Sequence, residues 1–188
     1  MIVDQSSDWY DRRPVVGTVL WSGSLRACMS TAPVADLHVH TTASDGVLTV
    51  DQLPDAARQA DIEWLAVTDH DRIHPELPEP VTMRDGVGII RGIELRVDAG
   101  DQRVDLLGYG VEPTDELAAE LGRLQDDRQT RGQRIIDQVE SRLDVELPIE
   151  PRPGIGRPHI ARAIAESEAP YDYDRAFGEL IGNDGPCY

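Results

Sequence analysis

The sequence predicts an α/β fold of the incomplete-barrel kind, and three observations carry that reading. From residue 35 onward, apolar runs of strand length alternate with segments of helical period. Residues of metal-ligand type recur where those runs end, and the carboxyl ends of strands are where β/α barrels place their chemistry. Only four strands are legible among 188 residues, whereas a closed barrel usually takes roughly 250 residues.

Val34 to His40 reads as a buried strand and Thr49 to Ala60 as a helix, with Thr49 and Gln52 spaced as a capping box. Pro54 should cost that helix a hydrogen bond or move its start to the proline. Trp64 to Thr68 forms a second strand, Val87 to Ile93 a third and Arg103 to Val111 a fourth. Asp85-Gly86 and Ala99-Gly100-Asp101 supply turns. A long helix follows from Thr114 to about Leu143, because Leu117, Leu121, Leu124, Ile135, Ile136, Val139 and Leu143 recur at three- and four-residue steps. Its middle, Gln125 to Gln133, is polar all round, and Gly132 marks a bend or an interruption. After the proline-rich stretch Leu147 to Pro158, Pro158 opens a helix through Ala165, and Asp172 or Asp174 caps a last one to about Ile181.

Residues 1–34 show neither period over a useful window, although Val15 to Trp21 has the composition of a short strand. They read as a disordered arm or a mis-assigned upstream start, with residues 1–28 expected to bury nothing against the domain at 35–188. Asp4, Asp8 and Asp11 precede the only apolar patch, which excludes a secretory leader.

Thirty-five acidic residues face 18 basic ones, and all 18 are Arg, giving a net charge of −17. A typical chain of this length holds roughly ten Lys. An acidic, Lys-free surface at ordinary hydrophobicity is the balance of a protein kept hydrated in concentrated salt, so a halophilic origin is expected. Non-specific binding along a nucleic-acid backbone, which needs clustered cations, is disfavoured. No apolar run approaches the roughly 20 residues of a membrane-spanning helix. Cys28 and Cys187 lie near opposite ends, with no CxxC spacing, which suits a reducing cytoplasmic compartment.

Residues two apart on a strand face the same way, so His38 and His40 in Leu-His-Val-His converge. Asp45-Gly46 offers a carboxylate on a tight turn five residues on. The second strand ends in Asp69, His70 and Asp71, and the third in Glu94. Three strands thus each deliver ligand-type residues to one edge. Imidazole with carboxylate suits zinc, manganese or iron, and more than four such ligands imply two or three divalent metal ions. A closed structural zinc site would normally use Cys, and neither Cys is nearby.

At these residues the chain resembles the PHP superfamily, which joins polymerase and histidinol phosphatase domains. The resemblance rests on Asp-Leu-His-Val-His-Thr-Thr-Ala-Ser-Asp-Gly at 36–46, Ala-Val-Thr-Asp-His-Asp at 66–71, Gly-Ile-Glu at 92–94, Leu-Leu-Gly-Tyr at 106–109 and Gly-Arg-Pro-His-Ile-Ala-Arg-Ala at 156–163. It implies a distorted (β/α)7 barrel, of which 35–188 is the N-terminal part, and a metal centre that hydrolyses phosphoesters through a metal-bound hydroxide. His38, His40, Asp45, His70 and Glu94 are the ligands so implied, with Glu94 bridging two metals. Asp105 stands where relatives commonly place a metal-binding His and is expected to ligate through oxygen. Arg157 and His159 are candidates for holding substrate phosphate. The family also supplies a His-Pro strand end and a late Asp-x-His, and neither follows here.

The function this predicts is a stand-alone metal-dependent phosphoesterase acting on nucleoside 3′,5′-bisphosphates, short oligonucleotides or other small phosphoesters, with no stable nucleic-acid or membrane partner. A second chain supplying the remaining barrel segment is a further expected partner. The competing reading is a truncated metal-binding remnant without turnover, and a polymerase-fused proofreading domain or a histidinol phosphatase is weaker.

Overall fold

A computed structural model describes residues 34–188, so the N-terminal arm, the Val15 to Trp21 segment and Cys28 lie outside the described residues. The order is β1 (Ala35–Val39), α1 (Leu53–Gln59), β2 (Trp64–Val67), β3 (Val81–Arg84), β4 (Val87–Asp98), β5 (Arg103–Tyr109), α2 (Asp115–Leu143), α3 (Arg157–Glu166), α4 (Tyr173–Arg175) and a π-helical turn at Ala176–Leu180. β1 pairs with β2 and β2 with β4, both parallel, and α1 makes the crossover from β1 to β2. That unit is the one regular strand–helix–strand repeat among the described residues.

The rest of the sheet departs from the expected pattern. β3, which the sequence reading lacked, pairs antiparallel with the first half of β4 through Asp85-Gly86. Both turn residues have positive φ, 47° and 84°, the geometry that a two-residue hairpin turn requires. β4 does not stop at Ile93 but continues to Asp98, and its second half leaves β2 to pair antiparallel with β5 from Gly92↔Tyr109 to Asp98↔Arg103. The expected fourth strand is therefore the return arm of a hairpin. Glu94 lies within β4, level with the point where β2 has already ended, and meets His70 in a single parallel bridge.

α1 starts at Leu53 rather than Thr49, with Pro54 in its first turn, where the missing N–H costs nothing. Thr49 N–H donates to Gln52 Oε1 at 2.9 Å, so that pair closes a turn ahead of the helix and does not cap it. α2 begins as expected, the Thr114 hydroxyl accepting from Leu117 N–H, and runs unbroken through Gly132. A Cβ at Gly132 would sit 2.9 Å from Ile155 Cγ2, so this glycine lets the 147–156 connection pack close rather than bending the helix. Asp172, not Asp174, caps α4.

Two buried clusters result. Val39, Leu53, Leu65, Val67, Val87 and Ile89 pack between the sheet and α1, while Ile135, Val139, Ile155, Ile160, Ile164 and Ile181 join α2, α3 and the C-terminal turn. The site lies at the margin between them. Four aspartates, Asp61, Asp71, Asp85 and Asp144, hold positive φ between 47° and 56°, positions more often filled by Gly or Asn. No helix is long and apolar enough to cross a membrane among the described residues.

Candidate metal centre

Parallel pairing of β1, β2 and β4 brings their carboxyl ends to one edge, and the implied ligands meet there. His38 Nε2 and His40 Nε2 approach to 3.0 Å, His38 Nε2 and Glu94 Oε2 to 3.0 Å, and His40 Nε2 and Glu94 Oε2 to 2.7 Å. His40 Nδ1 meets Asp45 Oδ1 at 2.7 Å. His70 lies 3.4 Å from both Asp45 Oδ2 and Glu94 Oε2, its ring edge-on to His40 with centroids 4.5 Å apart. The donors form two groups, His38–His40–Glu94 and His40–Asp45–His70, each within 4.8 Å.

The turn that delivers Asp45 is held from beneath by Asp69, which is fully buried. Its carboxylate accepts from Thr41 N–H at 2.8 Å, Thr41 Oγ1 at 2.8 Å and Ser44 Oγ at 2.6 Å. Gly46 closes the turn, because a Cβ there would overlap the His40 carbonyl.

Burial alone would lower the His40 pKa, but hydrogen bonds to the Asp45 and Glu94 carboxylates raise it to about 9. Burial alone would raise Glu94, but His40 and His70 bring it down to about 2. Asp45, against the same burial, is pushed far below the usual carboxylate range by His40 and His70. These shifts favour ionised carboxylates beside a protonated His40. This donor set fits divalent metal ions, with nitrogen and oxygen ligands and no sulfur.

Asp105 does not join the set, and the expectation of an oxygen ligand there is corrected. Across the β4–β5 register it faces Arg96, whose Nε and Nη2 bond both of its carboxylate oxygens at 2.7 Å. Both of its oxygens are thereby engaged by the guanidinium, and it belongs to neither donor group.

The cluster opens onto a cleft of about 580 Å³ bounded by the second half of β4, α2 and the start of α3. Arg96, Arg103, Arg128, Arg131 and Arg157 line it together with Asp45 and His70. The Arg131 pKa is pushed down by partial burial and by the neighbouring Arg128 and Arg157. Arg128 is tied to Asp71 at 2.5 Å. Arg157 donates to Asn183 Oδ1 at 2.9 Å and lies over the rings of Tyr188 and Phe177. His159 does not line the cleft: its Nδ1 accepts the Gly156 N–H at 3.0 Å and caps α3, and burial lowers its pKa. Sequence reasoning missed Arg128, Arg131 and Gln125, whose side-chain amide donates to the carbonyls of His70 and Asp71 at 3.2 and 2.9 Å. Their signal was the polar middle of an otherwise amphipathic helix, which is the part that faces the site.

Imidazoles and carboxylates gathered at the ends of parallel strands, beside a cleft lined by five arginines and by Asp71, Asp98 and Asp127, define an α/β protein with a candidate metal-binding cluster at one sheet edge. The PHP domain pattern matches residues 36–174, and the chain belongs to the PHP domain family. It is 30% identical over 162 residues to the 3′,5′-nucleoside bisphosphate phosphatase of Chromobacterium violaceum, covering 81% of this chain and 56% of that protein. It is 30% identical over 144 residues to the 5′-3′ exoribonuclease Rnm of Escherichia coli, covering 72% of this chain and 49% of that one. The chain thus spans about half the length of these curated relatives. A solved structure of a Chromobacterium violaceum amidohydrolase with bound sulfate superposes with a TM-score of 0.66 at 27% identity, over 83% of this chain and 58% of that one.

Proposed function

We propose that this chain carries the metal-binding and phosphate-binding part of a metal-dependent phosphoesterase whose substrates are small phosphoesters, such as nucleoside 3′,5′-bisphosphates or short oligonucleotides. The observation that carries the reading is the opening of a five-ligand His/Asp/Glu cluster onto a cleft lined by five arginines in a chain of net charge −17. The activities named for the two relatives support the phosphoester class.

In this reading His38, His40, Asp45, His70 and Glu94 hold two or three divalent ions, manganese, zinc or iron. Bound there, such ions supply Lewis-acid polarisation of a phosphoryl oxygen and acidify a water. The chain's own groups bind and orient. Arg131, with no carboxylate partner among the described residues, meets a phosphate oxygen, and Arg128 is held in line by Asp71. Arg157 closes the α3 end of the cleft, while His159 caps the start of α3 behind it. The free, buried Cys187 agrees with a reducing cytoplasmic setting.

The Arg96–Asp105 pair favours a second reading, metal binding without turnover, since it removes one expected ligand. One experiment separates the two. Phosphate release from a nucleoside 3′,5′-bisphosphate and from an aryl phosphate is measured with excess Mn²⁺ in high salt, alongside metal content. The phosphoesterase reading expects release that His40→Ala abolishes together with metal, and an Arg131→Met variant that keeps its metal but has a raised KM. Full metal content with no release from either substrate would establish the second reading.

A further inference from the structure

A second cavity, of about 470 Å³, lies between the 71–78 segment and the first turns of α2, and shares only Asp71 with the arginine-lined cleft. None of the implied metal ligands lines it. Ile73, Leu77, Pro78, Pro113, Ala118 and Leu121 give it apolar walls.

Two cations face this apolar space without a matching anion. Arg91 is 3% exposed. Its Nη1 donates to the carbonyls of Leu77 and Pro78, and its buried Nε–H has no partner. Arg72 donates through Nη1 to Ala43 O at 2.8 Å, and its buried Nε–H is likewise without a partner. No carboxylate lies within ion-pair distance of either among the described residues. The one carboxylate in the wall, Asp71, is taken by Arg128. His74, 5% exposed, accepts the Glu76 N–H at Nδ1, which places its own proton on Nε2 as a further donor. A buried guanidinium satisfied only in part by carbonyls is costly unless a counter-charge joins it.

A glycine provides a second, independent observation. Gly122 sits in the interior of the 29-residue α2, where glycine weakens a helix relative to alanine. It has no positive φ, and a Cβ built on it meets nothing within 4 Å. Nothing in the chain itself requires the missing side chain at this exposed position, which borders the cavity.

We propose that this cavity binds a small organic carboxylate with an apolar body, its charge set against Arg91 and Arg72 and its body against Leu77, Pro113 and Leu121. Each guanidinium also keeps its Nη2 without a hydrogen bond among the described residues, so the pair offers an anionic head two cationic groups beside the apolar walls. The proposal is independent of the phosphoesterase reading, because its site shares no ligand with the metal centre.

The test uses the full chain, with 3-phenylpropanoate and its neutral amide as probes, followed by calorimetric titration and thermal unfolding at fixed salt. The carboxylate binds saturably and raises the melting temperature, while the amide binds at least about tenfold more weakly. Gly122→Leu sets an apolar side chain at the border of the cavity and replaces neither arginine. It abolishes carboxylate binding while its own melting temperature equals or exceeds that of the parent. Equal binding of the amide, carboxylate binding that survives Gly122→Leu, or no saturable binding up to about 10 mM would each overturn the proposal.

Discussion

Asp69→Asn tests whether the metal centre depends on a residue that is not itself a ligand. The carboxylate of Asp69 is fully buried and accepts three hydrogen bonds, two from Thr41 and one from Ser44. Those bonds fix the turn from which Asp45 reaches His40 and His70. An amide of the same shape can keep all three contacts if the Thr41 hydroxyl reverses and accepts from the new Nδ2. What it loses is charge assistance. A hydrogen bond to a charged group contributes about 1.5–3 kcal/mol and a neutral one about 0.5–1.5 kcal/mol, so three downgraded bonds sum to roughly 3 kcal/mol. That is a large share of the roughly 5–15 kcal/mol stability of a domain. Loss of a partner that orients a ligand typically costs about 10–100-fold in metal affinity. The assays are urea unfolding of the metal-free chain and Mn²⁺ titration followed by electron paramagnetic resonance. The variant is expected to unfold at a clearly lower urea concentration and to bind Mn²⁺ more weakly at the Asp45 side of the cluster. Parental values in both assays would refute the claim that Asp69 positions the turn.

Metal uptake is expected to release a proton, because the metal-free cluster holds one on His40, whose pKa is raised to about 9. Below that pH a metal must displace the proton, so affinity rises about tenfold per pH unit from pH 6.5 toward 9 and levels off above it. Calorimetry in buffers of different ionisation enthalpy counts the released proton, and a pH-independent affinity would contradict the assignment. Stability is expected to rise with salt, since an excess of 17 negative charges repels itself until counterions screen it. Exposed pairs such as Arg123 with Glu120 and Arg175 with Glu179 weaken in salt, but pairs of this kind contribute little. Urea midpoints at low and multimolar KCl compare the two effects, and equal midpoints would remove the argument for halophily.

The sequence revealed what depends on local pattern. His38 and His40 were readable as a pair because alternate residues on a strand share a face, and β1 and β2 were readable because their apolar runs end abruptly in polar residues. Features that depend on pairing partners were not readable. Nothing in Gly-Ile-Glu-Leu-Arg-Val signals that β4 changes partner at Gly92, so Glu94 looked like a strand end when it lies mid-strand. The antiparallel register that follows sets Asp105 against Arg96, and register cannot be read from one strand alone. β3 was missed because four residues between Pro80 and a turn carry too short a pattern, although Asp85-Gly86 is a strong hairpin signal.

The aspartates at positive φ tie the acidity of this chain to its backbone geometry. Asp61 follows α1, Asp85 makes the β3–β4 turn and Asp144 ends α2, each in a left-handed conformation that most side chains avoid. Side-chain types that tolerate this conformation are few, and among them Asp alone adds a negative charge. These positions therefore offer a route to desalting the protein by design. Asn in place of Asp at 61, 85 and 144 would remove three charges while leaving every turn its preferred dihedral angles, whereas Ala would remove the same charges and distort the turns. The corners of this chain thus hold three acidic charges that can be removed one residue at a time without altering the path of the backbone.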